Sequence, residues 1–378
     1  MLPSMLVAAL AAAVIRRFAP RWGLVDRPGH RKVHTMPTPL GGGLAIWLGM
    51  GLPFAAGQIV LATLKADANG RWLVAGRWPL PEFVAAHLGG LEFQTPRLWF
   101  LFSAGTVLVV LGLLDDWRGL DWKPRLAVQT LVAAAMVWRW EGWRLTMYLD
   151  QPWLTAVVSV VWIVGLINSF NMLDNMDGLS GGVAAIAAAM LAAVLLSTPN
   201  SATHQPQIFV SGFLLVLVGS LLGFLCHNAP PARIFMGDAG SYFIGFCLAI
   251  ATNMATFTGG DLPWYTMFAP LCVLAVPLYD TVTVVWIRLR QGRSPFEGDK
   301  NHFSHRLVEL GMTQGQAVLT IYLTTFICGL GAVVLHQVDG WGAGAVLLMI
   351  GCVLTLIGIL ETTGRREKGG RRKEKVDL

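Results

Sequence analysis

The sequence predicts an all-α polytopic membrane protein of about eleven transmembrane helices, and three observations carry that prediction. Hydrophobic residues make up 54% of the 378-residue chain and charged residues only 13%, with a mean hydropathy of +0.58, more apolar than a water-soluble core requires. Apolar runs of roughly 17–25 residues, each long enough to cross about 30 Å of hydrocarbon, recur from end to end. Basic residues crowd into alternate loops between those runs, the asymmetry that membrane insertion imposes.

The first run, 2–18, places Arg16 and Arg17 after its apolar stretch and lacks a small-residue cleavage pattern, so it reads as a retained helix with its N-terminus outside. The second, 40–63, starts at a proline and three glycines, and the third, 97–114, stops at Asp115-Asp116. A shorter run at 125–140 ends in Trp138-Arg139-Trp140. The next, 152–168, stops at a polar segment beginning with Asn168, and 179–197 resumes after Asp177-Gly178. Runs at 207–226, 240–258, 264–287, 316–336 and 342–360 complete the set.

With eleven spans, the loops 16–38, 115–125, 227–238, 288–311 and 361–378 hold 6, 3, 1, 5 and 7 of the 28 basic residues. The opposite set holds the rest, at 65, 71, 77, 97, 139 and 144. The basic set is therefore expected in the cytoplasm, with the C-terminus, as in a plasma-membrane (inner-membrane) protein. Residues 1–363 read as one integral-membrane domain and 364–378 as a basic tail, disordered and touching anionic lipid. That tail carries much of the +6 net charge, which excludes the need for a nucleic-acid partner. Cysteines at 226, 247, 272, 328 and 352 show no CxxC spacing, so neither a disulfide framework nor a zinc site is indicated. The outside loop 64–96, with Trp72, Trp78 and nearby Trp99 as interface anchors, suggests no function, and no repeats are visible.

Five polar clusters interrupt the apolar pattern. In Val25 to Gly43, Arg31, Lys32 and His34 precede two prolines and a glycine triplet, a stiff segment able to hold cations against an anionic ligand or simply a basic cytoplasmic loop. Asp115 and Asp116 repel one another unless a divalent cation, a substrate or a raised pKa relieves them. The plainer alternative has Asp116 capping a turn while Arg118 neutralises Asp115. Asn168, Asn171 and Asp174 fall at i, i+3 and i+6, one face of a helix, and their oxygens suit a hard cation or the donor edge of a base. Asp177-Gly178 then turns the chain. Asp238, between Gly237 and Ala239, lies at a helix start where free amides favour anions, or serves as a plain N-cap. The last cluster, Glu297 to Leu307, gathers Lys300, His302, His305 and Arg306 in one loop after Asp280 and Asp299. Two histidines permit a metal site, but the adjacent cations fit phosphate better.

These clusters, in this order from about residue 25 to 310, resemble the polyprenyl-phosphate N-acetylhexosamine-1-phosphate transferase family, whose bacterial members include WecA-like and TagO-like enzymes and, more distantly, MraY. The resemblance implies transfer of a sugar 1-phosphate from a UDP-sugar to a membrane polyprenyl phosphate such as undecaprenyl phosphate, releasing UMP, with Mg²⁺ or Mn²⁺ at the cytoplasmic face. It would make this the first membrane step of a cell-envelope glycan. By matching positions it implies Asn171 and Asp238 as metal contacts. Asp115 and Asp116 become the acidic pair near the reacting phosphates, and Asp174 and Asp177 lie near metal or uridine. Lys32, Lys300, His302, His305 and Arg306 hold phosphate or sugar. The string Arg31-Lys-Val-His-Thr-Met-Pro-Thr-Pro-Leu-Gly-Gly42 resembles the WecA-like members, which favours UDP-N-acetylglucosamine over the UDP-MurNAc-pentapeptide of MraY. A homodimer is an open expectation.

Two positions depart from the family pattern: Ser304 stands where a His-x-His-His loop has its middle histidine, and Asn175 replaces the first glycine of Asp-Gly-x-Asp-Gly. Asn175 still tolerates a left-handed turn, and restoring histidine at 304 is expected to change little. Outside the family, aspartates beside apolar runs also describe a cation-coupled transporter. A transporter would place them mid-span between inverted repeats, and a non-catalytic scaffold would have lost them; here they cluster at one face.

Overall fold

The computed structural model describes residues 1–26, 37–66, 72–74, 78–81, 85, 87–145, 151–198, 206–257, 262–299 and 301–376. The long helices are α1 (Leu2–Phe18), α2 (Gly42–Ala62), α3 (Leu88–Arg118), α4 (Trp122–Arg139), α5 (Pro152–Leu173), α6 (Leu179–Ser197), α7 (Ile208–Asn228) and α8 (Gly237–Met254). They are followed by the short α9 (Ala269–Val273), α10 (Ala275–Arg290), the short α11 (Phe303–Glu309), α12 (Gln314–Leu335) and α13 (Gly340–Val376). Among the described residues, strand is confined to two small antiparallel elements, β1 (Val25–Asp26) with β2 (Thr38–Pro39), and β3 (Leu64–Ala66), β4 (Trp72–Val74) and β5 (Trp78–Pro79).

The all-α membrane class holds, and the number of spans is where structure and expectation part. Among the described residues, eight helices are long and apolar enough to cross a membrane, or nine when the segment Trp264–Val273 and α10, bent by 70°, count as one span. Helices do occupy 122–139 and 237–254, but α4 and α8 do not meet that measure. For α8 the reason is its setting. Every residue from Ala239 to Asn253 is buried, so it meets protein rather than lipid and needs no apolar exterior.

Around α8 the other helices close at backbone distance. A Cβ on Gly112 of α3 would sit 2.3 Å from Ala239 Cα, and one on Gly43 of α2 would sit 2.2 Å from the Gly240 nitrogen. On α5 the reverse applies: a Cβ on Gly245 would approach the Leu166 carbonyl oxygen to 2.7 Å. Lipid offers helices no hydrophobic reason to associate, so such close packing is what holds them. The glycine triplet ahead of α2 thus serves helix packing: the amides of Gly42 and Gly43 donate to the carbonyls of Phe235 and Met236, both at 2.9 Å, which fastens the start of α2 to the segment leading into α8. The tail, expected to be disordered from Gly364, continues α13 to Val376, in line with the high helix propensity of its Arg, Lys and Glu residues.

Candidate active site

The ends of α3, α5, α7 and α10, with the starts of α4, α8 and α11, meet around a cavity of about 870 Å³. Its lining includes Asp116, Asn171, Asp174, Asp177, Asp238, His302 and His305. Seven of the residues expected from the sequence are therefore brought together from four separate segments.

Asp238 opens α8, which Gly237 allows by turning with φ +72°. That turn leaves two amides facing the end of α3, and Asp116 caps them, accepting from Asp238 N at 2.8 Å and Ala239 N at 3.4 Å. The capping expected of Asp116 is thus real, though it caps another helix rather than its own turn. Asn171 donates its amide to Asp238 Oδ1 at 2.6 Å and to Ser241 Oγ at 3.1 Å, which turns its carboxamide donors, rather than its oxygen, toward those partners. Beyond the end of α5, Asp177 Oδ2 accepts from Ala232 N at 2.9 Å. No cation among the described residues pairs with Asp174. Desolvation first, then the charges of Asp116 and Asp177, push its carboxyl up to about 7. Asp116, Asp174, Asp177, Asp238 and Asn171 form a set of hard oxygen donors that suits Mg²⁺. Among the described residues no three Asp, Glu, His or Cys side chains close into a cage; Mg²⁺ asks for none, since one or two carboxylates, water and substrate phosphates complete its shell.

Further lining comes from residues between Thr281 and Asp299 and from His302 and His305. His302 is oriented by Asp280, fully buried, whose Oδ2 lies 3.0 Å from His302 Nδ1 while Oδ1 accepts from Phe303 N at 2.6 Å. A carboxylate holding Nδ1 leaves Nε2 as the ring nitrogen free for a ligand. The His302 and His305 ring centroids are 6.3 Å apart. Arg288 and Asp299 pair at 3.1 Å beside them. Burial acts to raise the Asp299 carboxyl, but hydrogen bonds from Arg288 and Asn301 outweigh it and hold the group at about 2. Trp122 and Phe296 stack at the rim with centroids 4.1 Å apart and planes within 5°, joining α4 to the loop before α11.

Four expected residues are placed differently or not at all. Lys32 and Lys300 lie outside the described residues, as does most of the basic segment around Arg31 and His34. Asp115 is buried behind the cavity wall, accepting from Leu120 N, Arg125 Nη1 and Tyr242 Oη, each at 2.8 Å. Its neutralising partner is Arg125, not Arg118. Arg306, 3% exposed, points away from the cavity lining: its Nε meets Glu361 Oε2 at 2.9 Å, Nη2 donates to Thr283 Oγ1 at 3.0 Å, and Nη1 donates to the Asn301 carbonyl. It ties α11 to α13 and α10 and is no phosphate clamp. In its place the cavity offers Arg125 and Arg288, which the sequence reading missed. Arg125 stands 4.0 Å from Asp238 Oδ2. An arginine in the first turn of a largely apolar helix, ten residues after Asp115, was the available signal.

A family model described as Glycosyl transferase family 4 matches residues 98–256. The chain is 31% identical over 387 residues to the decaprenyl-phosphate N-acetylglucosaminephosphotransferase of Mycobacterium tuberculosis, covering 95% of this chain and 88% of that protein. It is 28% identical over 369 residues to a probable undecaprenyl-phosphate N-acetylglucosaminyl 1-phosphate transferase of Bacillus subtilis, with 96% and 90% covered. Similarity extends to the undecaprenyl-phosphate alpha-N-acetylglucosaminyl 1-phosphate transferase of Haemophilus influenzae, 30% identical over 333 residues, with 84% and 81% covered.

Proposed function

Because this chain belongs to glycosyl transferase family 4, we propose that it transfers N-acetylglucosamine 1-phosphate from UDP-N-acetylglucosamine to a polyprenyl phosphate such as undecaprenyl phosphate, releasing UMP. It is a phospho-sugar transferase of the membrane, and the relatives' names favour this donor over a muramoyl-pentapeptide nucleotide. The observation that carries the reading is the cavity itself, which gathers carboxylates and Asn171 together with His302, His305, Arg125 and Arg288. Oxygen donors for a cation beside cationic groups for phosphate are what two phosphorylated substrates need.

In the reaction an oxygen of the lipid phosphate attacks the sugar-bearing phosphorus, and the pyrophosphate P–O bond breaks with its electron pair leaving on UMP. Several negative charges must approach one another, so the arginines and histidines lower the repulsion and orient the pyrophosphate. Asp116 is the member of the Asp115-Asp116 pair that reaches the cavity, so we assign it as acceptor of the lipid phosphate's remaining proton, a modest task given a second phosphate pKa near 6. Asp115 acts behind it as a positioning residue that aims Arg125. Asp238 and Asn171, with Asp174 or Asp177 nearby, would hold Mg²⁺, or Mn²⁺ in its stead, which supplies charge neutralisation at the phosphates when bound.

The segments that line the cavity lie at one end of the helices, and those around Arg125, Asp238 and Asp299 fall in basic loops of the sequence, while the turn 174–178 carries no Lys or Arg. We place this end in the cytoplasm, in a plasma (inner) membrane. For loops 119–121 and 174–178 both to reach the cavity, α4 must return the chain to the far side before α5; the same reasoning applies to α8. We therefore keep eleven crossings, counting α4, which protein covers in part, and α8, which it covers throughout. The test is a purified-protein assay with undecaprenyl phosphate and a panel of UDP-sugars, following UMP release. UMP release with UDP-N-acetylglucosamine is the expected result; release with no UDP-sugar overturns the assignment.

A further inference from the structure

Where α11 meets the turn after α5, two residues join in a contact that the transfer chemistry does not call for. Ser304 Oγ donates to Asn175 Oδ1 at 2.5 Å. Ser304 stands between His302 and His305 in the first turn of α11 and is 1% exposed; Asn175 stands between Asp174 and Asp177. Both ends are anchored. Asn175 Nδ2 donates to Met172 O at 2.9 Å, and the turn it belongs to is pinned at Gly178, whose carbonyl accepts from the Tyr322 hydroxyl at 2.5 Å and whose amide donates to Asn228 Oδ1 at 3.0 Å. On the other side, Asp280 fixes Phe303 N and His302. The hydrogen bond is therefore a strut of set length between the carboxylate turn and the histidine helix.

We propose that Ser304 and Asn175 are a matched positioning pair that sets the distance across which the carboxylates and His302 with His305 grip the donor, an inference that rests on the transferase reading above. The pair gives one physical cause to the two departures from the family pattern. A histidine at buried position 304 needs room that the Asn175 side chain fills and that a glycine at 175 would vacate. The histidine substitution at 304, harmless on the sequence alone, becomes costly once this contact is seen.

The test uses Ser304→Ala, Asn175→Ala, their double variant, Ser304→His and Ser304→His with Asn175→Gly. Kinetics of UMP release from UDP-N-acetylglucosamine and melting temperature are measured on each purified protein, and turnover by the parent checks the function itself. Each alanine variant is expected to lower kcat/KM about three- to tenfold, the scale of one lost hydrogen bond, and the double to be no worse than the weaker single. Ser304→His is expected to lose at least about tenfold, and adding Asn175→Gly to recover most of it. Multiplying effects of the two alanines, or a Ser304→His, Asn175→Gly protein no better than Ser304→His alone, overturns the pair. A parent that releases no UMP sinks the function and leaves the pair to the same cycle read in melting temperature, where additivity refutes it.

Discussion

Asp238 and Asn171 touch each other at 2.6 Å inside the cavity, and each offers an oxygen to a hard cation. Asp238→Ala and Asn171→Ala are expected to abolish turnover while leaving insertion and folding intact, because a lost oxygen ligand weakens Mg²⁺ binding more than it disturbs packing. UMP release titrated against Mg²⁺ checks this, and near-parental rates at limiting metal would remove that residue from the metal's shell. Asp174 gives a second handle. Its folded pKa of about 7 lies above the ordinary 3.8, so the fold favours the protonated carboxyl. The associated stability is full below about 4 and is lost as pH rises through about 7. In metal-free protein the melting temperature should thus fall across that window, and Asp174→Asn should flatten the fall and raise the melting temperature by several degrees at pH 8. A pH dependence equal to that of the parent would show that Asp174 is not crowded. Asp115 differs from both, since it acts through Arg125: Asp115→Asn combined with Arg125→Ala should be no slower than Arg125→Ala alone.

At the scale of elements, α11 carries His302 and His305 but is only seven residues long, so it cannot hold its own orientation. Three contacts do it: Asp280 at its first amide, Ser304 on Asn175, and Arg306 on Glu361 of α13. Arg306→Lys is expected to lower kcat/KM at least about tenfold, because lysine cannot reproduce the guanidinium's simultaneous bonds to Glu361, Thr283 and Asn301. Since the pair is buried, the melting temperature should fall with it, which a lost phosphate contact at an open cavity would not produce. The α3–α8 crossing is a comparable constraint. Gly112→Ala would drive a methyl into the backbone at Asp238 and Ala239, prising Asp116 from the start of α8. Loss of both turnover and thermal stability is expected, and an active, stable variant would show that the two helices can part without harm.

The whole molecule turns on which end of the bundle bears the cavity. Ser304 is too buried to report sidedness by labelling, so an exposed position is needed. In a background without the exposed Cys226 and Cys352, a cysteine at Ser294 should react with an impermeant maleimide only from the cytoplasm, and one at Gln337 only from outside. Labelling of both from one side would break the eleven-span alternation, and reversal of both would invert the protein. Much of this architecture was legible beforehand: the helix positions follow from apolar run length, and the cavity face follows from where Asp, Asn and basic residues interrupt those runs. The run 240–258 marked the position of α8 as well, although a helix buried on every side by protein falls short of the hydropathy of a lipid-facing span.

By itself the sequence determined that this is a helical membrane protein with carboxylates, amides and histidines at one face, because a bilayer demands apolar length and penalises charge wherever it is not used. Together with the family resemblance, the order of the clusters along the chain was enough to name Asp116, Asn171, Asp174, Asp177, Asp238, His302 and His305 as neighbours. Only the tertiary structure decided which of two adjacent aspartates faces the cavity, since Asp115 and Asp116 differ in nothing but the direction in which α3 turns them. It likewise decided that Arg306 braces the fold while Arg125 and Arg288 line the site. A guanidinium serves an internal carboxylate as well as a phosphate, and which one it meets depends on helices that pack from remote parts of the chain.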